Sequence, residues 1–316
     1  MSAPASPKFV RLRQRRFGDK RRRAWRERRE LAVRWLFSAA AVSSIFITLG
    51  IVIILFSESI PFFSSGKLVE FFTDLEWAPR DTASPRFGIL TLVSATLTTT
   101  AIALAVALPI GTIVALYLSE FAPHAVRETL KPALELLSAV PTVVYGYFAL
   151  QFVSPLLQRF DADLPSINML SAGLVMGIMI IPYVSSLSED AMRSVPMLLR
   201  EGSYALGGNK IITALKVVIP SAISGIGAAY ILGISRAIGE TMIVAVAAGN
   251  QPTFTFNPLV AAQTITAYIA QASKGDTSHD GMAYQARFAA GLALFAMTLV
   301  FNLAGHWLRK RYHKAY

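Results

Sequence analysis

The sequence predicts an all-α integral membrane protein with six transmembrane helices. Hydrophobic residues make up 54% of the 316 residues and charged residues only 16%, whereas soluble domains carry about a quarter charged residues. Six apolar stretches reach the length of about 20 residues that crosses the hydrocarbon core of a bilayer. Residues 1–34 hold 13 of the 30 Lys and Arg, and such a basic flank before an apolar helix is attracted to anionic lipid headgroups on the cytoplasmic side.

The predicted spans form one membrane domain, 33–310, between a basic tail, 1–32, and a short C-terminal tail, 311–316. The second and third spans contain Pro109 and Pro141, which membrane helices tolerate where neighbouring helices satisfy the freed carbonyl groups. The six spans are predicted at about 33–57, 90–118, 133–157, 168–190, 221–248 and 286–308.

Small residues recur every fourth position along the fifth predicted span. They are Ser221, Gly225, Ala229, Gly233 and Ala237. Such a stripe allows another helix backbone to approach closely, so we expect this span to pack tightly inside the bundle.

The distribution of Lys and Arg predicts the orientation. Placing the N-terminus inside puts 23 of these residues on the cytoplasmic side and six outside, as the positive-inside rule requires. Both termini are therefore predicted to be cytoplasmic, and two long connections, about 58–89 and 249–285, face outward. These connections are either a docking surface for an extracytoplasmic partner or ordered loops that pack on the bundle.

Composition argues against several other classes of protein. Cysteine is absent, which excludes a disulfide framework and a thiolate metal site. The four histidines lack the spacing of a zinc site, so no metal is predicted. The net charge of +11 lies mostly in the tail, so we expect membrane lipids and no nucleic acid as its partner. The chain has no G-x-x-x-x-G-K-[ST] loop, so it cannot be an ATPase and no cofactor is predicted on it.

The predicted cytoplasmic connection 191–220 contains a spaced motif. Glu201-Gly202-Ser203 is followed after three residues by Gly207, and nine residues later by a segment that ends at Pro220. This stretch resembles the EAA loop of binding-protein-dependent ABC importer permeases, whose spacing it keeps. Glycine at 207 supplies the left-handed conformation that ends a helix, so the loop is predicted to be a helix, a turn and a second helix.

The resemblance implies the type I ABC importer permease fold. It also implies that the helix around Glu201, Gly202 and Ser203 docks in a groove of a separate ATPase subunit, which binds ATP and Mg²⁺. An amphipathic helix that lies on the membrane surface is the alternative.

The fifth span carries two charged residues, Arg236 and Glu240. Charged side chains are costly within a membrane and normally face the bundle interior or water, with a partner. Their spacing of four predicts that they share a helical face. They either form a structural ion pair, or Arg236 attracts an anion that Glu240 holds or releases, since the planar Arg fork matches phosphate oxygens.

Arg236-Ala237-Ile238-Gly239-Glu240-Thr241 resembles the R-x-x-G-E-T signature of phosphate-specific transport permeases. The residues that follow resemble the PstC branch of that family, and 139–146 resembles both the PstC and PstA branches. The resemblance implies that Arg236, Glu240 and Thr241 handle phosphate. Three hydroxyl side chains predicted on one side of the third span are weaker candidates to line the path: Ser138, Thr142 and Tyr145.

The resemblance implies a permease subunit of a phosphate importer in the inner (cytoplasmic) membrane. Its expected partners are a PstA-like permease, two PstB-like ATPase subunits and a PstS-like extracytoplasmic phosphate-binding protein. A related importer for sulfate, molybdate or phosphonate is the first alternative. A stand-alone carrier or channel is less well supported, since the chain lacks inverted repeats, and a membrane enzyme lacks a catalytic constellation.

Overall fold

A computed structural model describes residues 7–81, 83–274 and 281–312. This part of the chain consists of helices, their connecting segments and one hairpin of two strands with two residues each. It confirms the predicted all-α membrane architecture. The elements are α1 (Pro7–Phe62), α2 (Leu68–Thr73), β1 (Trp77–Ala78), β2 (Arg86–Phe87), α3 (Leu90–Leu116), α4 (His124–Ala139), α5 (Thr142–Phe148), α6 (Ser154–Gln158), α7 (Met169–Arg193), α8 (Met197–Ala205), α9 (Lys210–Thr213), α10 (Ile219–Ile238), α11 (Met242–Ala247), α12 (Ile265–Ser273) and α13 (Met282–Tyr312). Four π-helical turns connect some of them, at Phe63–Lys67, Tyr117–Phe121, Ala149–Val153 and Ala214–Val218.

The chain divides into two compact units, residues up to Ser57 and residues from Glu58 onward. The first unit is formed by α1, whose helix begins at Pro7 and thus continues from the basic tail into the first span. The predicted tails 1–32 and 311–316 fall in part on 1–6 and 313–316, which lie outside the described residues.

The interior of the second unit is built around α7, which packs against α3 and α10. A Cβ atom at Gly173 would lie 2.7 Å from the Ile102 Cβ atom, and one at Gly177 would lie 2.8 Å from the Val106 Cβ atom. These distances show that the absence of a side chain lets α7 and α3 touch. On the other side of α7, Gly233 of the predicted small-residue stripe faces Val184, with 3.2 Å from its ideal Cβ position to Cγ2.

The third predicted span, 133–157, is wrong as a single helix. α4 ends at Ala139, α5 begins at Thr142, and the two axes differ by 89°. Val140 and Pro141 have extended backbone between them, because proline disfavours the helical conformation of the residue before it. In the described residues five helices are long and apolar enough to cross a membrane, and the bent pair makes six.

The fifth predicted span, 221–248, is also wrong as a single helix. Its apolar helix runs from Lys210 to Ile238. Gly239 ends α10, and the chain starts a new short helix, α11, at Met242. The break separates the two charged residues that the sequence places on one face.

The two long connections predicted to face outward pack on each other. In the hairpin of β1 and β2, Trp77 pairs with Phe87, and the Trp77 ring lies edge-on to that of Tyr268 in α12, with centroids 4.9 Å apart. The segment after α11 folds back, so that the Ala262 N–H donates to the Ala248 carbonyl at 2.9 Å. Ordered loop packing is therefore observed here.

Candidate translocation and coupling sites

Arg236 lies in the last turn of α10 and has no acidic partner among the described residues. Its guanidinium carbon stands 3.9 Å from the centroid of the Tyr183 ring of α7, a cation–π contact. Its Nε is buried without a hydrogen-bond partner. Within the described part of the chain no carboxylate lies at ion-pair distance from this guanidinium, Glu240 included. Arg236 is thus supported by an aromatic face, and its buried Nε has no hydrogen-bond partner among the described residues.

Glu240 has a different role from the one its spacing predicts. Its Oε1 accepts hydrogen bonds from the backbone N–H groups of Met242 at 3.1 Å and Ile243 at 3.3 Å, so it caps the start of α11. The Glu240 carbonyl accepts a third bond, from the Thr266 hydroxyl at 2.7 Å. The predicted shared face with Arg236 is wrong, because α10 has already ended between the two residues.

The hydroxyl residues predicted beside the path separate at the bend. Ser138 is in the last turn of α4, and Thr142 and Tyr145 are in α5, so the prediction that they share one helical side is wrong. The Tyr145 hydroxyl donates to the Leu137 carbonyl at 2.7 Å and ties the two arms of the bend together. Thr241, also predicted at the path, donates to the Gly239 carbonyl at 3.3 Å.

Ser138 does come close to the Arg236 site. It lines a cavity of about 220 Å³ together with Tyr183, whose ring carries Arg236. Lys131, Glu135 and Glu189 also line this cavity. The cavity therefore joins the aromatic support of Arg236 to a group of charged residues between α4 and α7.

Glu189, a residue that the sequence analysis missed, is fully buried at the centre of that group. Its carboxylate is 2.7 Å from Arg127 Nε, 3.5 Å from Lys131 Nζ and 3.8 Å from an Arg193 guanidinium nitrogen. A buried charge is strongly destabilising without such partners. The cluster therefore fixes α4, which carries two of the cations, against α7.

The coupling loop, residues 191–220, has the predicted helix–turn–helix form. α8 is followed by Gly207 with φ +81°, and the Asn209 side chain accepts from the Ile212 N–H at 2.8 Å, which caps α9. The Ser203 and Thr213 hydroxyls lie 2.8 Å apart and join the two helices. Pro220 stands at the start of α10.

The outer face of α8 is open. Glu201 and Gly202 are exposed, and an ideal Cβ position at Gly202 has nothing within 4 Å. Leu198 and Leu206 on the same helix region are 77% and 92% exposed. Exposed apolar side chains on a short helix are typical of a surface that another protein covers.

Arg200, a second residue that the sequence analysis missed, fastens the inner face of α8. Its guanidinium donates to Glu120 Oε1 at 2.9 Å and to the carbonyls of Met192 at 2.9 Å and Val195 at 2.5 Å. Glu120 lies in the π-helical turn that follows α3. A movement of α8 is therefore passed directly to the ends of α3 and α7.

Similarity to known proteins agrees with this geometry. Residues 107–315 match the family described as binding-protein-dependent transport system inner membrane component. The chain belongs to this family. It is therefore the permease subunit of an ABC importer, a multi-pass membrane protein that works with other ABC components, and ATP is hydrolysed by a separate subunit.

Several relatives span most of the chain. A probable ABC transporter permease protein, YqgH, of Bacillus subtilis is 32% identical over 284 residues, which cover 89% of this chain and 91% of the relative. The phosphate transport system permease protein PstC of Mesorhizobium japonicum is 31% identical over 293 residues, covering 86% and 88%. The PstC protein of Xylella fastidiosa is 34% identical over 221 residues, covering 64% and 67%.

Solved structures show the same fold at low sequence identity. A bacterial alginate ABC transporter in complex with an alginate-bound periplasmic protein aligns with a TM-score of 0.60 and 18% identity, over 88% of this chain and 94% of that one. The inward-facing MetNI methionine ABC transporter aligns with a TM-score of 0.53 and 17% identity, over 72% and 95%. The predicted type I ABC importer permease fold is confirmed.

Proposed function

We propose that this chain is the PstC-type permease of an importer for inorganic phosphate. Its partners are a PstA-like second permease, two copies of a PstB-like ATPase that bind ATP and Mg²⁺, and a PstS-like extracytoplasmic phosphate-binding protein. Two PstC proteins, 31% and 34% identical to this chain, support the proposal. The R-x-x-G-E-T residues, Arg236 to Thr241, agree with this assignment.

The proposal rests on Arg236, for which no carboxylate of the described residues lies at ion-pair distance. A structural Arg in a membrane helix is expected to have a carboxylate partner, but here Glu240 caps α11 and Tyr183 supports the guanidinium. An Arg fork with unused donors in a poorly hydrated place forms strong, multidentate bonds with phosphate oxygens. Arg236 is therefore the residue that contacts the transported anion.

The proposed arrangement in the inner membrane follows the charge distribution. Both termini and the coupling loop face the cytoplasm, where the open face of α8 docks on the ATPase. The connections 58–89 and 249–285 face outward, toward the binding protein. ATP-driven movement of α8 then reaches the bundle through Arg200 and Glu120 and shifts it between outward and inward access.

The experiment is ATP-dependent phosphate uptake by the complete complex reconstituted in proteoliposomes. Arg236→Leu and the double variant Arg236→Leu with Glu240→Leu should assemble but lose uptake roughly 10- to 100-fold, since each charge-assisted bond contributes about 1.5–3 kcal/mol. Arg236→Lys keeps the charge without the fork, so it should lose uptake only in part.

Arg159→Leu is the matched control, because this exposed arginine lies in the connection between α6 and α7 and should leave uptake unchanged. Uptake at the parent level in Arg236→Leu would show that Arg236 does not contact the transported anion. Uptake of sulfate, molybdate or phosphonate in place of phosphate would identify one of the alternative importers.

A further inference from the structure

A second cavity, of about 290 Å³, lies where the two long connections meet. Its lining draws on the hairpin region, on the segment after α11 and on α12. The lining side chains with polar groups are Trp77, Arg80, Asp81, Asn250, Gln263, Tyr268 and Gln271. All of them lie in the two connections predicted to face outward, so the cavity opens toward the side on which a binding protein would work.

Hydrogen-bond donors without partners are concentrated here. The indole Nε1 of Trp77 is buried and has no hydrogen-bond partner. Arg80 is exposed, and no carboxylate of the described residues lies at ion-pair distance from it. Tyr268 is 6% exposed, and burial raises the pKa of its phenol to about 12. The phenol therefore stays protonated at physiological pH and can donate a hydrogen bond.

Two glutamines add a fixed donor. Gln263, which is 3% exposed, donates from Nε2 to the Oε1 of Gln271 at 2.6 Å. This bond occupies the acceptor of Gln271, so the amide nitrogen of Gln271 is left to donate elsewhere. Asn250 lies beside Gly249, whose φ of +114° turns the chain at this point.

The acidic residue of the lining is already engaged. Asp81 accepts from the Ala83 N–H at 3.0 Å and from the Ser84 hydroxyl at 3.5 Å, within its own turn. Among the described residues that line the cavity, Arg80 has no carboxylate at ion-pair distance, and the neutral donors outnumber the one carboxylate, Asp81, which keeps its charge. This combination suits an oxyanion such as hydrogen phosphate, whose unprotonated oxygens accept several hydrogen bonds and whose remaining hydroxyl can donate one.

The lining of the cavity is linked by hydrogen bonds to the segment that carries Glu240. Gln263 precedes Thr264, whose hydroxyl caps α12 by accepting from the Ala267 N–H at 3.2 Å. In the first turn of α12, the Thr266 hydroxyl donates to the Glu240 carbonyl at 2.7 Å. The first turn of α12 therefore joins the lining of the cavity to the segment between α10 and α11.

We propose that this cavity is an entry subsite for inorganic phosphate, which receives the anion released by the extracytoplasmic binding protein before it reaches Arg236. The inference rests on the proposed function and adds Arg80, Asn250, Tyr268 and Gln271 as residues that contact phosphate.

The test uses cysteine labelling, which is unambiguous because the chain has no cysteine of its own. Asn250→Cys is introduced into the complete complex with cysteine-free partner subunits, and impermeant anionic and cationic methanethiosulfonate reagents are compared. The anionic reagent should react faster, and saturating inorganic phosphate should slow it. Adding Arg80→Gln should slow the anionic reagent and speed the cationic one, each by roughly five-fold, the effect of one charge at close range in water, so their rate ratio should fall roughly 25-fold.

Ser273→Cys is the control site, since Ser273 is exposed at the end of α12 but does not line the cavity. Its labelling should not respond to phosphate or to Arg80→Gln. The inference is overturned if phosphate slows labelling equally at Asn250→Cys and Ser273→Cys. It is also overturned if Arg80→Gln leaves the anionic-to-cationic rate ratio at position 250 unchanged. The inference is also overturned if the phosphate-free binding protein slows labelling at position 250 and phosphate alone does not. The cavity would then be a contact surface for the binding protein.

Uptake in the same proteoliposomes separates this inference from the proposed function. A complex that takes up phosphate but shows no phosphate protection at position 250 contradicts the entry subsite alone. A complex with Asn250 intact that takes up no phosphate contradicts the proposed function itself.

Discussion

Glu240 and Arg236 are separated by a helix end, and this local fact decides what each side chain can do. The Glu240 carboxylate is bound by two backbone N–H groups of α11, where the positive end of a helix favours a negative charge. The Arg236 guanidinium rests on an aromatic ring. The Glu240 carboxylate therefore stabilises the fold, whereas the Arg236 guanidinium has a donor, Nε, without a partner among the described residues.

Substitutions at Glu240 should therefore affect stability before they affect anion recognition. Glu240→Gln keeps an oxygen that accepts from Met242 and Ile243, so the complex should assemble and unfold near the same temperature. Glu240→Ala removes the cap, at a cost of about 1 kcal/mol, and should lower the thermal unfolding midpoint of the purified complex. An unfolding midpoint for Glu240→Ala equal to that of the parent protein would contradict the capping role.

At the scale of elements, the sequence indicates where the apolar helices are but not where they break. Pro141 and Gly239 are visible in the sequence, yet membrane helices tolerate both residue types where neighbouring groups satisfy the backbone. The bend at Pro141 becomes a defined 89° angle because Tyr145 bonds back to Leu137. That bond cannot be read from hydropathy, so the third and fifth spans were predicted as single helices.

The coupling loop, in contrast, was predicted correctly, because its turn depends on local residue chemistry. Gly207 has φ +81°, a conformation that costs other residues about 1–2 kcal/mol and that Asn tolerates better. Gly207→Val should misplace α8 and weaken binding of the ATPase subunit, measured by co-purification. The bundle itself should still insert.

Gly207→Asn is the comparison variant at the same position, and it should retain most of the bound ATPase. If Gly207→Val and Gly207→Asn reduce the amount of co-purified ATPase subunit equally, the left-handed turn does not position α8. If neither has an effect, α8 is not the docking element.

At the scale of the whole molecule, contacts between distant parts of the chain were beyond sequence reasoning. Arg200 meets Glu120, 80 residues away in the chain, and Trp77 packs on Tyr268. Each of these residues looks ordinary in its own segment, and no periodicity or motif links it to its partner. Composition and charge do predict the spans, and the family resemblance predicts the coupling loop and singles out Arg236.

The orientation of the whole molecule is open to a direct test on the permease. Cysteines at Ser65 and Ser273 should react with an impermeant thiol reagent added from outside, because both lie in the connections predicted to face outward. A cysteine at Ser194, exposed just after α7, should react only after the membrane is permeabilised. The opposite pattern would invert the predicted topology.

The contact of Arg236 with Tyr183 also bears on how the protein is made. An arginine in a membrane helix raises the free energy of insertion, by up to about 2.5–3.5 kcal/mol, the value for the helix centre. The ring that receives this arginine is in α7, which precedes α10 in the chain and so emerges from the ribosome first. During biosynthesis the aromatic support is thus already in the membrane when the charged helix enters, and the order of translation favours insertion of α10.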